Sequence, residues 1–183
     1  VSRLEAHDRR EAGARLAGLL SPDTVFLASS DLTHYGAHFG YKPFAADAAV
    51  AGRLDELDHN VLDSIGSLDA GLFFEALRET GSTVCGVEPI ALLLALIGEL
   101  EDGDEFYQEL LDYRTSAELT GDYHSSVSYG AAAYYPYRAL ELDAAACRAV
   151  LGLARTALES YLRTGRRNLP LLAPSGVAAL ERR

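Results

Sequence analysis

The stretch "VFLASSDLTHYGAHFGYKPF" at residues 25–44 decides how this chain is read. It opens as an apolar run, Val25 to Ala28, then turns polar with Ser29, Ser30, Asp31, Thr33, His34 and His38. A short apolar run bounded by turn residues is a buried strand rather than a helix, so a strand is expected over Thr24–Ser29. In open α/β sheets, ligands bind beyond the carboxyl ends of strands, and residues 29–34 hold that position. Gly36 and Gly40 make 31–42 an irregular loop. Before the strand, "SPD" at 21–23 ends an amphipathic helix over residues 2–20, with apolar groups at Leu4, Ala12, Leu16, Leu19 and Leu20.

Downstream, Lys42–Pro43 opens a helix running to about Asp63, because proline suits the first helical turn. "LDAGLFFEALRET" is a further helix, capped by Asp69 and stopped by Gly81. Pro89 marks the start of another, apolar on every side from Ile90 to Ile97 and therefore buried all round. Residues 105–115 fit strand or helix, and "SSVSYGAAAYYPY" at 125–137 reads as a strand. Composition changes after Pro136. "LDAAACRAVLGLARTALESYLRTGR" is an amphipathic helix capped by Asp143, with Cys147, Val150, Leu151, Leu158 and Leu162 on its apolar side. The Pro- and Gly-rich "NLPLLAPSG" follows, and a domain boundary is expected near 137–142.

Of 183 residues, 49% are hydrophobic, which suits a packed core. The net charge of −11 excludes nucleic acid and anionic membrane surfaces as partners by bulk electrostatics. There is no apolar run long enough to span a bilayer and no leader pattern at the start. Cys85 and Cys147 lie in unlike contexts, so no disulfide framework is expected and a cytoplasmic location fits. Val1 as first residue and the absence of Met are expected of a segment cut from a longer protein.

Asp31 and His34 stand three apart on a tight turn, so carboxylate and imidazole can meet. A carboxylate on one ring nitrogen fixes the tautomer and raises basicity at the other. Such a pair serves as a general base or as a metal ligand with its support. The alternative is an Asp31 that caps the turn and a His34 bonded to a backbone carbonyl. His34 and His38 form an H-x-x-x-H spacing, but Gly36 and Gly40 argue against the helix that would align them. Ser29 and Ser30 invite a hydrolase reading, yet no G-x-S-x-G elbow surrounds them. Cys85, just before a helix N-terminus, suits a thiolate and a soft metal ligand; the alternative is a structural cysteine. Cys147 reads as core. His7 and His59 read as solvated, as do the acidic runs at 55–58 and 99–105, while His124 has no assigned role.

The segments "LASSDLTHYGAHFGY", "LDELDHNVLDSIGSLDAGLFFEAL", "TVCGVEPIALLLALI" and "YHSSVSYGAAAYY", in that order, resemble the Memo family over residues 1–136. The resemblance implies a fold like the catalytic subunit of class III extradiol dioxygenases: α/β, a mixed central sheet flanked by helices. It covers the C-terminal half of such a domain. Residues 137–183 resemble, through one helix, the opening of an AMMECR-type domain, a fusion found in AmmeMemoRadiSam system proteins. The resemblance further implies a metal-dependent dioxygenase-like or redox enzyme of unknown substrate, with iron or copper in the full-length parent and a radical-SAM system partner. Within it, Cys85 is the metal ligand, His34 the acid–base residue and Asp31 its orienting carboxylate. The family's two other pocket histidines come from an N-terminal half that this sequence lacks, so the resemblance implies a partial site. The alternative is a non-catalytic module that uses the same pocket for a small ligand or peptide.

Overall fold

The computed structural model describes residues 4–21, 23–100, 106–137 and 143–165. Its elements are helices α1 (Ala6–Ala17), α2 (Val50–Gly66), α3 (Ala70–Thr80), α4 (Val87–Gly98), α5 (Ser116–Thr120) and α6 (Ala144–Thr164). The strands are β1 (His34–Gly36), β2 (Phe106–Thr115) and β3 (Ser125–Pro136), forming a sheet in the order β1-β3-β2. β1 pairs antiparallel with β3, His34 facing Val127 and Gly36 facing Ser125. The fold is therefore α/β, a small antiparallel sheet flanked by helices. The chain divides into two compact units, Val1–Tyr134 and Tyr135–Arg183.

In the first unit the core joins Leu32 to Val61, Leu62 and Ile65 of α2, Phe73 of α3, Val84, and Ile90, Ala91 and Leu94 of α4. A second cluster holds Tyr35, Val50 and Leu54, with the Tyr35 ring stacked on Phe44 at 5.2 Å. α4 follows from its composition: no residue from Ile90 to Ile97 is exposed. α1 crosses α4 closely. A Cβ at Gly13 would stand 2.8 Å from the Ala95 backbone, so glycine is what lets the two helices meet. The same face carries Arg9, whose guanidinium pairs with Glu88 at 3.2 Å and lies 4.8 Å from the Phe74 ring centre. The expected apolar positions Leu4, Leu19 and Leu20 are instead exposed, because this crossing is built on small and paired residues.

α3 forms as its caps dictate. Asp69 accepts the Gly71 and Leu72 N–H groups, and Gly81 ends the helix at φ 64°. α6 is likewise capped by Asp143, which accepts from Ala145 and Ala146 N–H. Residues 106–115 are strand, resolving the alternatives left open by their pattern.

Several expectations are corrected. Thr24–Ser29 is not a buried strand: it joins no ladder among the described residues, and Val25 and Leu27 are 89% and 88% exposed. Thr24, Phe26 and Ala28 are half-buried, so only one side of the segment is covered. Pro43 does not open a helix; α2 starts at Val50, where Asp47 accepts the Val50 N–H on its carbonyl and the Ala49 N–H on its side chain. Residues 31–42 are less irregular than their glycines suggest, since they contain β1, a 3₁₀ turn at Ala37–Phe39 and a Gly36–Tyr41 bridge. Cys147 is exposed, as are Val150, Leu151, Leu158 and Leu162. Helical spacing shows which side of α6 prefers cover and not that cover is there. Asp58, in the acidic run read as solvated, is fully buried. His59 is only partly so, its ring 5.0 Å from Tyr113 and its Nδ1 2.8 Å from the Asp55 carbonyl. "NLPLLAPSG", residues 138–142 of the expected boundary and residues 101–105 of the second acidic run lie outside the described residues.

Candidate functional site

Two segments meet in the first unit. One is Ser29–His34, running from the exposed end of Thr24–Ser29 into β1. The other is Ser82–Gly86, the link between α3 and α4. They are sewn together by polar groups. Ser30 Oγ accepts the Gly86 N–H at 2.8 Å and donates to the Asp31 carbonyl at 2.8 Å. The His34 N–H donates to Thr83 Oγ1 at 2.8 Å, and that hydroxyl donates back to the His34 carbonyl at 3.2 Å. Thr33 Oγ1 meets Ser82 Oγ at 2.9 Å. The approach is tight enough that a Cβ at Gly86 would stand 2.8 Å from the Ser29 carbonyl oxygen.

This seam brings Asp31, His34 and Cys85 together. One ligand atom from each lies within 4.8 Å of the other two. The Asp31 N–H donates to Cys85 Sγ at 3.2 Å, and that sulfur stands 4.0 Å from the Asp31 carbonyl oxygen. Asp31 Oδ2 is 3.6 Å from His34 Nε2, beyond hydrogen-bond length. Nε2 is shielded from solvent yet has no hydrogen-bond partner. Cys85 is exposed and Asp31 half-exposed, so the cluster opens outward.

The other sequence candidates sit elsewhere. His38 is exposed on the 3₁₀ turn, and Phe39 stands edge-on to both His34 and His38 at 5.2 Å. His7 is exposed, and the His124 side chain is 78% exposed beside Asp122. Ser30 Oγ is engaged with Gly86 N, the Asp31 carbonyl and, at 3.9 Å, Cys85 Sγ, so its contacts are those of a loop fastener rather than a nucleophile with a base.

Sequence reasoning passed over Ser30's fastening role, Thr83 and Asp58. Asp58 Oδ1 accepts the Thr33 N–H at 3.2 Å and Oδ2 accepts the Tyr113 hydroxyl at 2.7 Å. Burial, and secondarily the Asp58 charge, push the Tyr113 phenol far up, so it stays a donor. A signal existed: Leu54, Asp58, Val61, Leu62 and Ile65 recur at helical spacing, which sets Asp58 on the apolar face of α2.

An α/β unit with a thiol, an imidazole and a carboxylate converging beside a helix start is the class of protein these features define. The Memo-like protein family model matches residues 1–133, and the chain belongs to that family. It is 34% identical over 114 residues to MEMO1 family protein TK1477 of Thermococcus kodakarensis, covering 60% of this chain and 37% of that protein. It is 32% identical over 117 residues to Protein MEMO1 of Homo sapiens, covering 63% and 39% respectively. Against Protein MEMO1 of Danio rerio the values are 30% over 136 residues, 73% and 46%. The chain spans about two fifths of the length of these curated relatives. Among the described residues no helix is long and apolar enough to cross a membrane.

Proposed function

We propose that Asp31, His34 and Cys85 form part of a metal centre. The observation that carries this reading is the His34 ring: its Nε2 is buried without a hydrogen-bond partner and 3.6 Å from Asp31 Oδ2, and one of its nitrogens lies within 4.8 Å of the Cys85 sulfur and an Asp31 carboxylate oxygen. Buried ring nitrogens are ordinarily satisfied, so an orphan among donor atoms points to a ligand. The donor set fits a transition metal: bonds of about 2.0–2.3 Å hold two donors of one ion up to about 4.6 Å apart, close to the spread found here. Thiolate with imidazole suits iron, copper or zinc rather than calcium or magnesium.

In this reading Cys85 is a ligand, its sulfur held by the Asp31 N–H, with the Asp31 carboxylate 3.6 Å from His34 Nε2. A bound transition metal would supply Lewis-acid or redox chemistry. With Nε2 on the metal, Asp31 Oδ2, 3.6 Å away, would stand beside the ion as a neighbouring oxygen donor. The parent is read as a metal-dependent, dioxygenase-like redox protein whose substrate is a small molecule or peptide. The second unit, Tyr135–Arg183, is read as the opening of an AMMECR-like domain in an AmmeMemoRadiSam system protein, supported by the capped helix α6 and the change in composition after Pro136.

Titration with Co²⁺ tests the site. Stoichiometric binding with thiolate-to-metal absorption, lost in Cys85→Ser, is expected. A full-length parent purified from iron- or copper-supplemented cells without stoichiometric metal, joined to a Co²⁺ titration that Cys85→Ser leaves unchanged, would overturn it and favour a metal-free binding module.

A further inference from the structure

We propose that Asp58 is a positioning residue for the Asp31–His34–Cys85 cluster, acting through the Thr33 backbone. The functional consequence rests on the metal-centre reading above; the geometry does not.

Asp58 is fully buried on α2, and no cation among the described residues pairs with it. A buried carboxylate is costly, and an apolar side chain of similar volume often serves stability as well or better. Its place in the core therefore calls for a local task. Both oxygens are engaged, one by the Thr33 N–H and one by the Tyr113 hydroxyl. Thr33 is itself fully buried, its carbonyl accepting the Ser128 N–H at 2.9 Å and its hydroxyl meeting Ser82. His34, the next residue, is clamped by Thr83, two positions before Cys85. One continuous polar network thus runs from α2 and β2 through Thr33–His34 to the segment that carries the sulfur. Among the described residues, Asp58 is the only carboxylate within it besides Asp31. Groups hydrogen-bonded to a metal ligand typically change affinity about 10–100-fold when removed, and Asp58 acts one residue further off, so the lower end applies.

The test compares the wild-type chain with Asp58→Leu, Asp58→Asn and Tyr113→Phe. Two readouts are taken: Co²⁺ affinity, and hydrogen exchange of the Thr33 amide in the metal-free protein. Leu fills the site without an acceptor. It is expected to weaken Co²⁺ binding by about tenfold and to speed Thr33 exchange, even where the thermal midpoint is kept or raised. Asn retains an oxygen for the Thr33 N–H and is expected to restore affinity to within about threefold. Tyr113→Phe frees Oδ2 and is expected to weaken binding in the same direction by less, which supplies the test if the Leu variant does not fold. Unchanged Co²⁺ affinity and unchanged Thr33 protection in Asp58→Leu, or in Tyr113→Phe if Leu does not fold, overturn the proposal. A wild-type chain that binds no Co²⁺ overturns the metal-centre reading alone; Thr33 exchange across the same variants then decides the positioning role.

Discussion

At the scale of single residues, the site depends on how Ser29–His34 lies against Ser82–Gly86. Cys85 is exposed, and its polar contacts are the Asp31 N–H at 3.2 Å, Ser30 Oγ at 3.9 Å and the Asp31 carbonyl at 4.0 Å. Cys85→Ser should therefore change unfolding free energy by no more than about 0.5 kcal/mol, as for surface substitutions elsewhere. Urea denaturation checks this beside the Co²⁺ titration, and together they separate a ligand from a packing residue. Gly86 is the opposite case. Its α-hydrogen faces the Ser29 carbonyl, where a Cβ would stand 2.8 Å away, and its N–H holds Ser30 Oγ. Gly86→Ala must push Ser29 and Ser30 aside, so a loss of about 1–3 kcal/mol is expected from overpacking. A Gly86→Ala protein as stable as wild type by urea denaturation would show that the seam yields easily. Of these residues, Asp31, His34 and Cys85 were legible because thiol, imidazole and carboxylate carry recognisable chemistry. Thr83 and Ser30 were not, since hydroxyls fasten loops throughout proteins and nothing in their spacing sets these two apart.

At the scale of elements, local signals succeeded where the deciding contacts are local. Asp69 and Gly81 bracket α3, and Asp143 opens α6, because a cap is settled within a few residues of chain. Asp69→Ala removes the acceptor for the Gly71 and Leu72 N–H groups and should cost about 1 kcal/mol, read as a shift in the urea midpoint at constant slope. A midpoint unchanged within error would show that other contacts of α3 satisfy those donors. The start of α2 was missed for a related reason. Pro43 is a permissive signal only, whereas Asp47, five positions into the expected helix, makes the bonds that start it. Thr24–Ser29 failed differently. Periodicity states what an apolar run prefers, but a buried strand also needs a paired neighbour and cover on both faces. Among the described residues this segment has cover on one side, and Val25 and Leu27 point outward.

At the scale of the whole first unit, the α/β class was legible because helices with apolar faces alternate with short apolar runs, and that pattern survives errors in any one element. The burial of Asp58 was not, since an acidic run gives no sign that one member faces inward unless its register with Leu54, Val61, Leu62 and Ile65 is followed along the helix. The sheet's half-buried phenols lead to a prediction that belongs to this scale. Tyr134, on β3, donates to Gln108 Oε1 at 2.8 Å, and burial pushes its phenol up to about 12 from the ordinary value of 10.0. Tyr113 is raised further for the same reason, with the Asp58 charge adding to it. In both, the folded state holds the proton more tightly than the unfolded chain does. Their contribution to stability is therefore complete below about pH 10 and is lost as pH rises through the folded-state values. For Tyr134 the window runs from 10.0 to about 12. Urea midpoints should fall across that window in the wild-type chain, and more gently in Tyr134→Phe, which has no proton to lose. The two curves should run parallel below about pH 9.5 and converge above it. Curves that stay parallel to about pH 11.5 would show that the Tyr134 phenol ionises alike in the folded and unfolded chains.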